Sequence, residues 1–291
     1  MNGFYNIIKP IGRSSSNLVV RLKKALRSAT GEKIKIGHLG TLDPMASGVL
    51  GIAVGSATKL FDYFLAKRKV YVATCVLGSM TDTLDVAGTV IEEKPFIGVS
   101  DEDIQKVSSK FIGDIMQIPP TYSAKSVDGV RAYRLASKGV QVVLKPCHVT
   151  IYSIHYLGRE KDNIFRMEIE CSGGTYIRSL CRDIGAELGY PAYMGSLERV
   201  QNGTMRIEDA VTIEEIEKDI SRGFQTLEVF GDSLKKIEFS EENEKKLRNG
   251  VKMHVEENDC YVSVYLVGLF YGIGRIENNE LSMIAREYAV I

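Results

Sequence analysis

The chain has 291 residues, of which 44% are hydrophobic and 25% charged, and its formal net charge is zero. These values are typical of a globular protein, and no apolar run reaches the roughly 18 residues of a membrane span. The amino terminus lacks a secretory signal pattern, and the five cysteines are scattered without Cys-x-x-Cys spacing. We therefore expect a cytoplasmic protein without a disulfide framework.

Positive charge is concentrated in two segments of the neutral chain. Residues 1–70 carry 12 Lys and Arg against 3 Asp and Glu, and residues 121–145 carry 5 against 1. Residues 207–291 are acidic, with 10 against 18. Localised basic segments are typical of a protein that binds a polyanion on one face, although exposed helices also carry Lys and Arg for solubility.

Three segments in the first half of the chain have clear periodicity. A serine cap followed by apolar residues at helical spacing predicts a helix over residues 14–29 with a basic outer face. A β-branched run predicts a strand over residues 69–77. A second serine-capped segment predicts a helix over residues 100–111.

The middle of the chain, residues 112–146, is interrupted by proline and glycine and has no long periodicity. This pattern predicts an extended insertion or loop with a short helix near residues 133–138. A long loop in a compact domain is usually functional or disordered.

The second half of the chain changes composition near residue 230. Before that point, residues 164–171 read as a strand and residues 175–188 as a helix that ends at glycine and proline. After it, a charged helix is predicted over residues 240–249, and we expect a separate small β-rich domain. Its three predicted strands cover residues 251–255, 261–267 and 269–276.

One carboxylate, Asp43, stands alone in the apolar, glycine-rich segment 37–51. The following proline fits a helix cap, whereas the same Asp-Pro pair also favours extended geometry at a strand-to-loop transition. A buried carboxylate needs a cation, and Arg178 is the best candidate because it lies in the first turn of a predicted helix, where an unpaired cation opposes the helix dipole. An ordinary exposed arginine is the alternative interpretation.

Two further residues have both a structural and a functional interpretation. Tyr71 lies in the predicted strand 69–77, where a tyrosine packs in the core or stacks on a nucleobase. His38 fits a general base, a metal ligand or a polar loop residue. No second histidine or cysteine lies at ligand spacing, so we expect no metal site.

The segment from His38 to Leu50 resembles the signature of the TruB family of bacterial tRNA pseudouridine-55 synthases, His-x-Gly-x-Leu-Asp-Pro-x-Ala-x-Gly-Val-Leu. Further segments resemble other motifs of this family and follow in the family's order around it. They cover residues 9–20, 69–88, 119–139, 171–180 and 239–250. The resemblance therefore extends over almost the whole chain.

The resemblance implies an α+β fold of two domains. Residues 1–230 would form the catalytic domain, with a mixed, mainly antiparallel sheet of the pseudouridine synthase type and flanking helices. A thumb insertion would occupy about residues 119–146. Residues 231–291 would form a small β-rich, PUA-like domain.

The resemblance also implies an activity, the isomerisation of uridine to pseudouridine at position 55 in the T-loop of tRNA. The base would be flipped out, cleaved from its ribose with the help of an aspartate, rotated and rejoined through carbon 5. The carboxylate would act either on the anomeric carbon or in proton removal. The enzyme would be a monomer that contacts the T-arm of tRNA and needs no cofactor, metal or protein partner.

The residues that match the family's motifs take their expected roles from it. Asp43 would be the catalytic aspartate, kept ionised by its partner Arg178, and Tyr71 would be a catalytic residue that stacks on the target base and assists proton transfer. The glycines around Asp43 would let RNA approach closely. The residues expected to contact RNA or substrate are Lys9, His38, Tyr176, Arg131, Arg134 and Leu197, with Lys9 also supporting the active site.

Alternatives from other functional classes stay open at this point. The chain could be a tRNA-binding or tRNA-folding module without catalysis, or a pseudouridine synthase that depends on a guide RNA. A metal-dependent hydrolase built on His38 and Asp43 is a more distant alternative.

Overall fold

The computed structural model describes residues 1–123, 126–127, 130–131 and 144–287, with side chains given outside 124–143. The short helix expected near residues 133–138 lies outside these residues. Within them, the strands form one large sheet, one five-stranded sheet and two small hairpins. In chain order the strands are β1 (Gly3–Lys9), β2 (Ile36–His38), β3 (Ser47–Val54), β4 (Lys69–Leu77), β5 (Ser79–Thr81), β6 (Val90–Glu93), β7 (Gly113–Gln117), β8 (Ser126–Val127), β9 (Val130–Arg131), β10 (Cys147–Lys161), β11 (Ile164–Cys171), β12 (Ala192–Asn202), β13 (Met205–Arg206), β14 (Phe224–Thr226), β15 (Lys235–Phe239), β16 (Met253–His254), β17 (Cys260–Leu266), β18 (Leu269–Glu277) and β19 (Glu280–Arg286).

The helices lie mainly against the faces and ends of these sheets. None of the described helices is long and apolar enough to cross a membrane. The α-helices are Ser15–Thr30, Phe61–Ala66, Asp101–Ser109, Ile177–Glu187, Ile213–Lys218, Leu227–Gly231 and Glu244–Arg248, and the 3-10 helices are Gly55–Leu60, Ile207–Asp209 and Glu241–Asn243.

The large sheet is mixed and mainly antiparallel, as predicted. Its strands run in the order β14-β1-β3-β12-β4-β11-β10-β7, with β2 paired to β3 and β13 paired to β12. Of its pairings, β3 with β12 is parallel and the others are antiparallel. Both strands that the sequence predicts in this sheet, 69–77 and 164–171, have the predicted bounds and pair with each other as β4 and β11.

The core beneath the functional segment forms because helix and sheet each bury one apolar face. In the helix Ile177–Glu187, Leu180 and Ile184 are fully buried. They belong to one hydrophobic cluster with Ala73 of β4 and Met167 of β11. The helix that carries Arg178 is therefore packed on the centre of the large sheet.

The first helix, Ser15–Thr30, begins and ends as its sequence predicts. The Ser14 side chain accepts the Asn17 N–H at the amino end, and Gly31 takes the left-handed conformation after the last turn. Its outer face is only partly free, because Arg21 forms ion pairs with Glu214 and Glu217 at 2.7 and 2.6 Å. Arg21 on the basic face is therefore already paired with acidic side chains of a second helix.

The expected loop over residues 112–146 begins later than predicted. Residues Gly113–Gln117 form β7, the last strand of the large sheet, which pairs with β10. The sequence signal is weak because this edge strand alternates over only five residues, with Ile115 toward the core and Met116 65% exposed. The insertion proper therefore follows Gln117.

The chain from residue 235 onward forms a separate five-stranded sheet, β15-β17-β18-β19-β16, with β15 and β17 parallel. This part is β-rich, as expected, although β15 and β19 were not predicted. The predicted helix over residues 240–249 is a 3-10 helix followed by the short helix Glu244–Arg248. The domain division at residues 230 and 231 stays a prediction.

An aromatic cluster joins the second sheet to the rest of the molecule. Tyr63 makes edge contacts with Phe230 and Tyr261, with ring centroids 5.3 and 4.9 Å apart. Phe4 of β1 and Ile273 of β18 belong to the same hydrophobic cluster. The two sheets thus share buried surface.

Candidate active site

Asp43 lies in the loop 39–46 that connects β2 to β3. The side chains of Leu39 and Leu42 are 1% and 3% exposed and fix this loop to the core. The Ser15 hydroxyl also donates to the Leu42 carbonyl and accepts the Leu42 N–H, at 3.0 and 2.9 Å. Asp43 therefore follows a residue whose N–H and carbonyl are both hydrogen-bonded to Ser15.

The alternative that Asp43 caps a helix is wrong. The Ala46 N–H donates to the Asp43 carbonyl at 3.0 Å, which closes a turn through Pro44 and leads directly into β3. The side chain is thus placed at a strand-to-loop transition, and 34% of it is exposed.

Lys9 lies beneath this loop. Its ammonium group is fully buried and donates to the carbonyls of Pro10, Arg13 and Pro44, at 3.0, 2.7 and 3.3 Å. Burial lowers the pKa of Lys9 to about 8, although Asp43 opposes that shift. Lys9 can thus support the loop, whereas a direct contact with RNA does not fit a side chain that is 0% exposed.

Arg178 and Asp43 are in contact, with Nη2 of Arg178 3.0 Å from Oδ2 of Asp43. Only 7% of the Arg178 side chain is exposed, so the interpretation as an ordinary surface arginine is wrong. The helix that begins at Ile177 aims this side chain at the loop from the opposite side of the site.

Arg178 also binds a second carboxylate, Asp85, which the sequence analysis did not single out. Nη1 of Arg178 lies 3.3 Å from Oδ2 of Asp85 and donates to the Thr83 carbonyl at 3.0 Å. The other Asp85 oxygen accepts from the Thr83 hydroxyl and the Ala87 N–H, at 2.8 and 3.0 Å. Asp85 is 7% exposed and follows β5, in the turn that residues 82–88 form.

The ionisation of Asp43 depends on opposing effects. Burial raises the pKa of the Asp43 carboxyl, and the neighbouring charge of Asp85 raises it further. Arg178 and Lys9 lower this pKa, but burial is the largest effect and the pKa is raised overall. Arg178 thus favours the ionised form against the effect of burial, and its role in keeping Asp43 ionised stays a prediction.

Tyr71 and Leu197 form the apolar side of the site. Tyr71 of β4 is 7% exposed and Leu197 of β12 is 9% exposed. Both belong to one hydrophobic cluster with Leu42 and Ala46, which flank Asp43 in sequence. Burial raises the pKa of the Tyr71 hydroxyl, so the group stays protonated well into the alkaline range.

Arg199 is a buried cation that the sequence analysis missed. It lies opposite Tyr71 in the pairing of β12 with β4 and is 1% exposed. Its guanidinium donates to the carbonyls of Val49, Gly40 and Thr41, at 2.8, 3.2 and 3.5 Å. Arg199 therefore holds both sides of the loop that carries Asp43.

Two glycines of this segment, Gly48 and Gly51, allow close packing inside the protein. A Cβ on Gly48 would lie 2.2 Å from the Arg199 carbonyl oxygen, and one on Gly51 would lie 2.6 Å from Sδ of Met205. The interpretation that these two glycines let RNA approach is therefore wrong, because β12 and β13 occupy that space.

Replacing Gly48 with alanine is expected to destabilise the fold. The residue has φ +101°, and the added Cβ would meet backbone rather than a flexible side chain, so we expect a loss of about 2 kcal/mol or more in the free energy of unfolding. Denaturant unfolding measures this loss. Gly37→Ala is the control, because no atom lies within 4 Å of its Cβ position; equal stability of the two variants would contradict the packing argument.

Tyr176 and His38 are both half-buried. Tyr176 immediately precedes the Arg178 helix, and burial raises the pKa of its hydroxyl. His38 ends β2, and burial together with the charge of Arg199 lowers the pKa of its imidazole. The Arg131 side chain and all of Arg134 lie outside the described residues.

In the described part of the chain, no group of three or more His, Cys, Asp and Glu side chains is arranged to hold a metal ion.

Two models of known protein families match consecutive parts of this chain. Residues 24–177 match the family model described as TruB family pseudouridylate synthase, N-terminal domain. Residues 178–229 match the model described as tRNA pseudouridylate synthase B C-terminal domain.

Curated relatives match over nearly their whole length. A tRNA pseudouridine synthase B of Clostridium perfringens is 40% identical over 284 residues, covering 94% of this chain and 95% of the relative. One of Rickettsia akari is 38% identical over 286 residues, covering 96% of each.

A solved structure shares the fold at lower identity. The protein in the crystal structure of a Cbf5-Nop10-Gar1 complex aligns with a TM-score of 0.69 and 23% identity, covering 98% of this chain and 84% of that one. The family models and the curated relatives together establish the family: the chain belongs to the TruB family of pseudouridylate synthases.

Proposed function

We propose that this protein isomerises uridine to pseudouridine in tRNA, at position 55 of the T-loop. The observation that carries the proposal is the Asp43–Arg178 ion pair at 3.0 Å, placed beside the buried ring of Tyr71 in a chain of the TruB family. The relatives named tRNA pseudouridine synthase B support tRNA as the substrate.

The geometry suits a reaction at a base that has left its stack. Asp43 is the exposed member of the pair, so its carboxylate can meet a flipped nucleotide. The reaction breaks the bond from C1′ to N1, forms one from C1′ to C5, and moves one proton from C5 to N1. The ionised carboxylate acts either at C1′ or in proton removal. Tyr71 and Leu197 supply an apolar wall that keeps the free uracil from water.

Basic side chains that are not engaged within the protein would recognise the tRNA. The basic segments 1–35 and 121–145 would bind phosphates of the T-arm, apart from Lys9, which is buried, and Arg21, which acidic side chains already engage. The half-buried Tyr176 and His38 would contact the target loop. Cofactor-free catalysis, a monomeric state, independence of protein partners and a cytoplasmic location stay predictions.

The decisive experiment incubates the purified protein with an unmodified tRNA transcript in chelator and maps pseudouridine along the product. We expect one new pseudouridine in the T-loop, and none with Asp43→Asn or with a transcript carrying cytidine at that position. Tight, salt-sensitive tRNA binding without product would instead favour a binding module or a synthase that needs a guide RNA.

The raised pKa of Asp43 predicts the acidic side of the pH–rate profile. A carboxylate must be ionised to act, so the rate falls as the pH drops through its pKa. Because burial raises this pKa, the fall should begin at a higher pH than for an ordinary aspartate. Single-turnover rates measured across the acidic range test this, and a rate that stays constant down to the range of an exposed aspartate would contradict it.

A further inference from the structure

Residues 117–123, here called the thumb root, are bonded to the start of the Arg178 helix. Arg178 donates to the Tyr122 carbonyl at 2.9 Å, through the same Nη2 that contacts Asp43. The fully buried Ser179 hydroxyl donates to the Ile118 carbonyl at 2.8 Å. The thumb root is thus attached at the residue that holds the proposed catalytic carboxylate.

The most specific of these bonds come from Gln117, the last residue of β7. Its Oε1 accepts the Tyr176 N–H at 2.8 Å, and its Nε2 donates to the Tyr176 carbonyl at 3.1 Å. Gln117 is 1% exposed. A side-chain amide is a group that carries both a donor and an acceptor, whereas an ionised glutamate could only accept. One side chain therefore fixes both backbone groups of Tyr176.

Tyr176 is the position from which the Arg178 helix starts. It is the N-cap residue, with extended φ and ψ of −103° and 106°, and no side chain of its own caps the helix. Its carbonyl also accepts the Leu180 N–H at 3.1 Å, so it belongs to the first helical turn. The direction of that turn is consequently set from outside the helix, by Gln117.

We propose that Gln117 is a positioning residue for the Arg178–Asp43 pair, an inference that rests on the proposed function. Arg178 lies two residues beyond Tyr176, so a shift of the N-cap moves the guanidinium relative to Asp43. Displacement of a catalytic group by about 1 Å can cost about 100-fold in rate.

Gln117→Met tests the proposal, because methionine keeps the volume and removes both hydrogen bonds. We expect the single-turnover rate on a tRNA transcript to fall about 10-fold to 100-fold. The Kd for tRNA, measured in an Asp43→Asn background, should stay within about threefold, since Gln117 is buried. The acidic side of the pH–rate profile should move to higher pH, because a displaced Arg178 lowers the pKa of Asp43 less.

The control is Asn163→Ala, which removes another amide-to-backbone bond, from Asn163 to the Leu77 carbonyl at 2.9 Å. We expect it to lower the melting temperature without changing the rate or the pH profile. Ser179→Ala is a second test of the same attachment and should change the rate in the same direction, which keeps the proposal testable if Gln117→Met does not fold.

Each outcome decides between positioning and another role. A wild-type rate in folded Gln117→Met, or a slower rate with an unmoved acidic side, would overturn the proposal and leave Gln117 a structural residue. A large loss of tRNA affinity would assign it to RNA binding and also overturn it. If the wild-type protein forms no pseudouridine, the proposed function itself fails. The wild-type assay therefore distinguishes that failure from a failure of the proposal for Gln117.

Discussion

Asp43→Asn is expected to abolish isomerisation while preserving the fold and tRNA binding. Asparagine has nearly the shape of aspartate, and its amide oxygen can still accept from Arg178, which lies 3.0 Å from the present carboxylate. The variant cannot form the ionised carboxylate that either mechanism requires, so the rate should fall by about 10⁴-fold or more. Single-turnover assays measure the rate, thermal unfolding tests whether the fold is preserved, and a binding assay measures the affinity for tRNA.

A matched control for this variant is Asp62→Asn, which removes an exposed carboxylate from the short helix Phe61–Ala66. We expect wild-type activity from it. Measurable turnover by correctly folded Asp43→Asn, above any trace of wild-type enzyme, would remove Asp43 from the catalytic role that we propose.

Local patterns explain which parts of the fold could be predicted from the sequence. The strands 69–77 and 164–171 could be predicted with their bounds because the first is a run of β-branched and apolar residues, whereas apolar and charged residues alternate in the second. The first helix could be predicted because a serine cap, which the structure places at Ser14, precedes apolar residues at helical spacing. Short or edge strands such as β7 and β15 were missed, since five residues give little periodicity.

In the candidate site, too, some residues could be predicted from the sequence and others could not. Asp43 and Arg178 could be connected from the sequence because a buried carboxylate requires a cation and few arginines lie in an unfavourable place. Arg199 and Gln117 could not, since their partners are backbone atoms distant in sequence, at Val49 and at Tyr176. Backbone acceptors carry no residue type, so no pattern in the sequence indicates them.

Which cations are free to bind RNA could also not be predicted from the sequence. Segment counts indicated a basic amino-terminal region, but pairing across the fold decides which cations are free. Arg21 and the acidic helix Ile213–Lys218 are nearly 200 residues apart in sequence and meet through two ion pairs. Exposed pairs of this kind add little stability, about 0–1 kcal/mol, yet they remove a cation from the proposed tRNA surface.

Arg178→Lys is expected to cause a large loss of rate even though the charge is kept. The guanidinium uses Nη2 for Asp43 and Tyr122, and Nη1 for Asp85 and Thr83. A lysine ammonium is a single point of charge and cannot span these two sets of acceptors. We expect about 10²-fold slower turnover, since both proximity and charge at Asp43 are disturbed.

Arg178→Lys is also expected to lower the stability of the fold. Asp85 is 7% exposed and would lose a direct cation contact, and breaking a buried pair costs up to about 3–5 kcal/mol. The control is Arg166→Lys on β11, where an exposed arginine forms an ion pair with the exposed Glu160. That variant should match the wild type. If Arg178→Lys retained full rate, the charge alone would suffice, and the two-sided geometry of Arg178 would have no catalytic role.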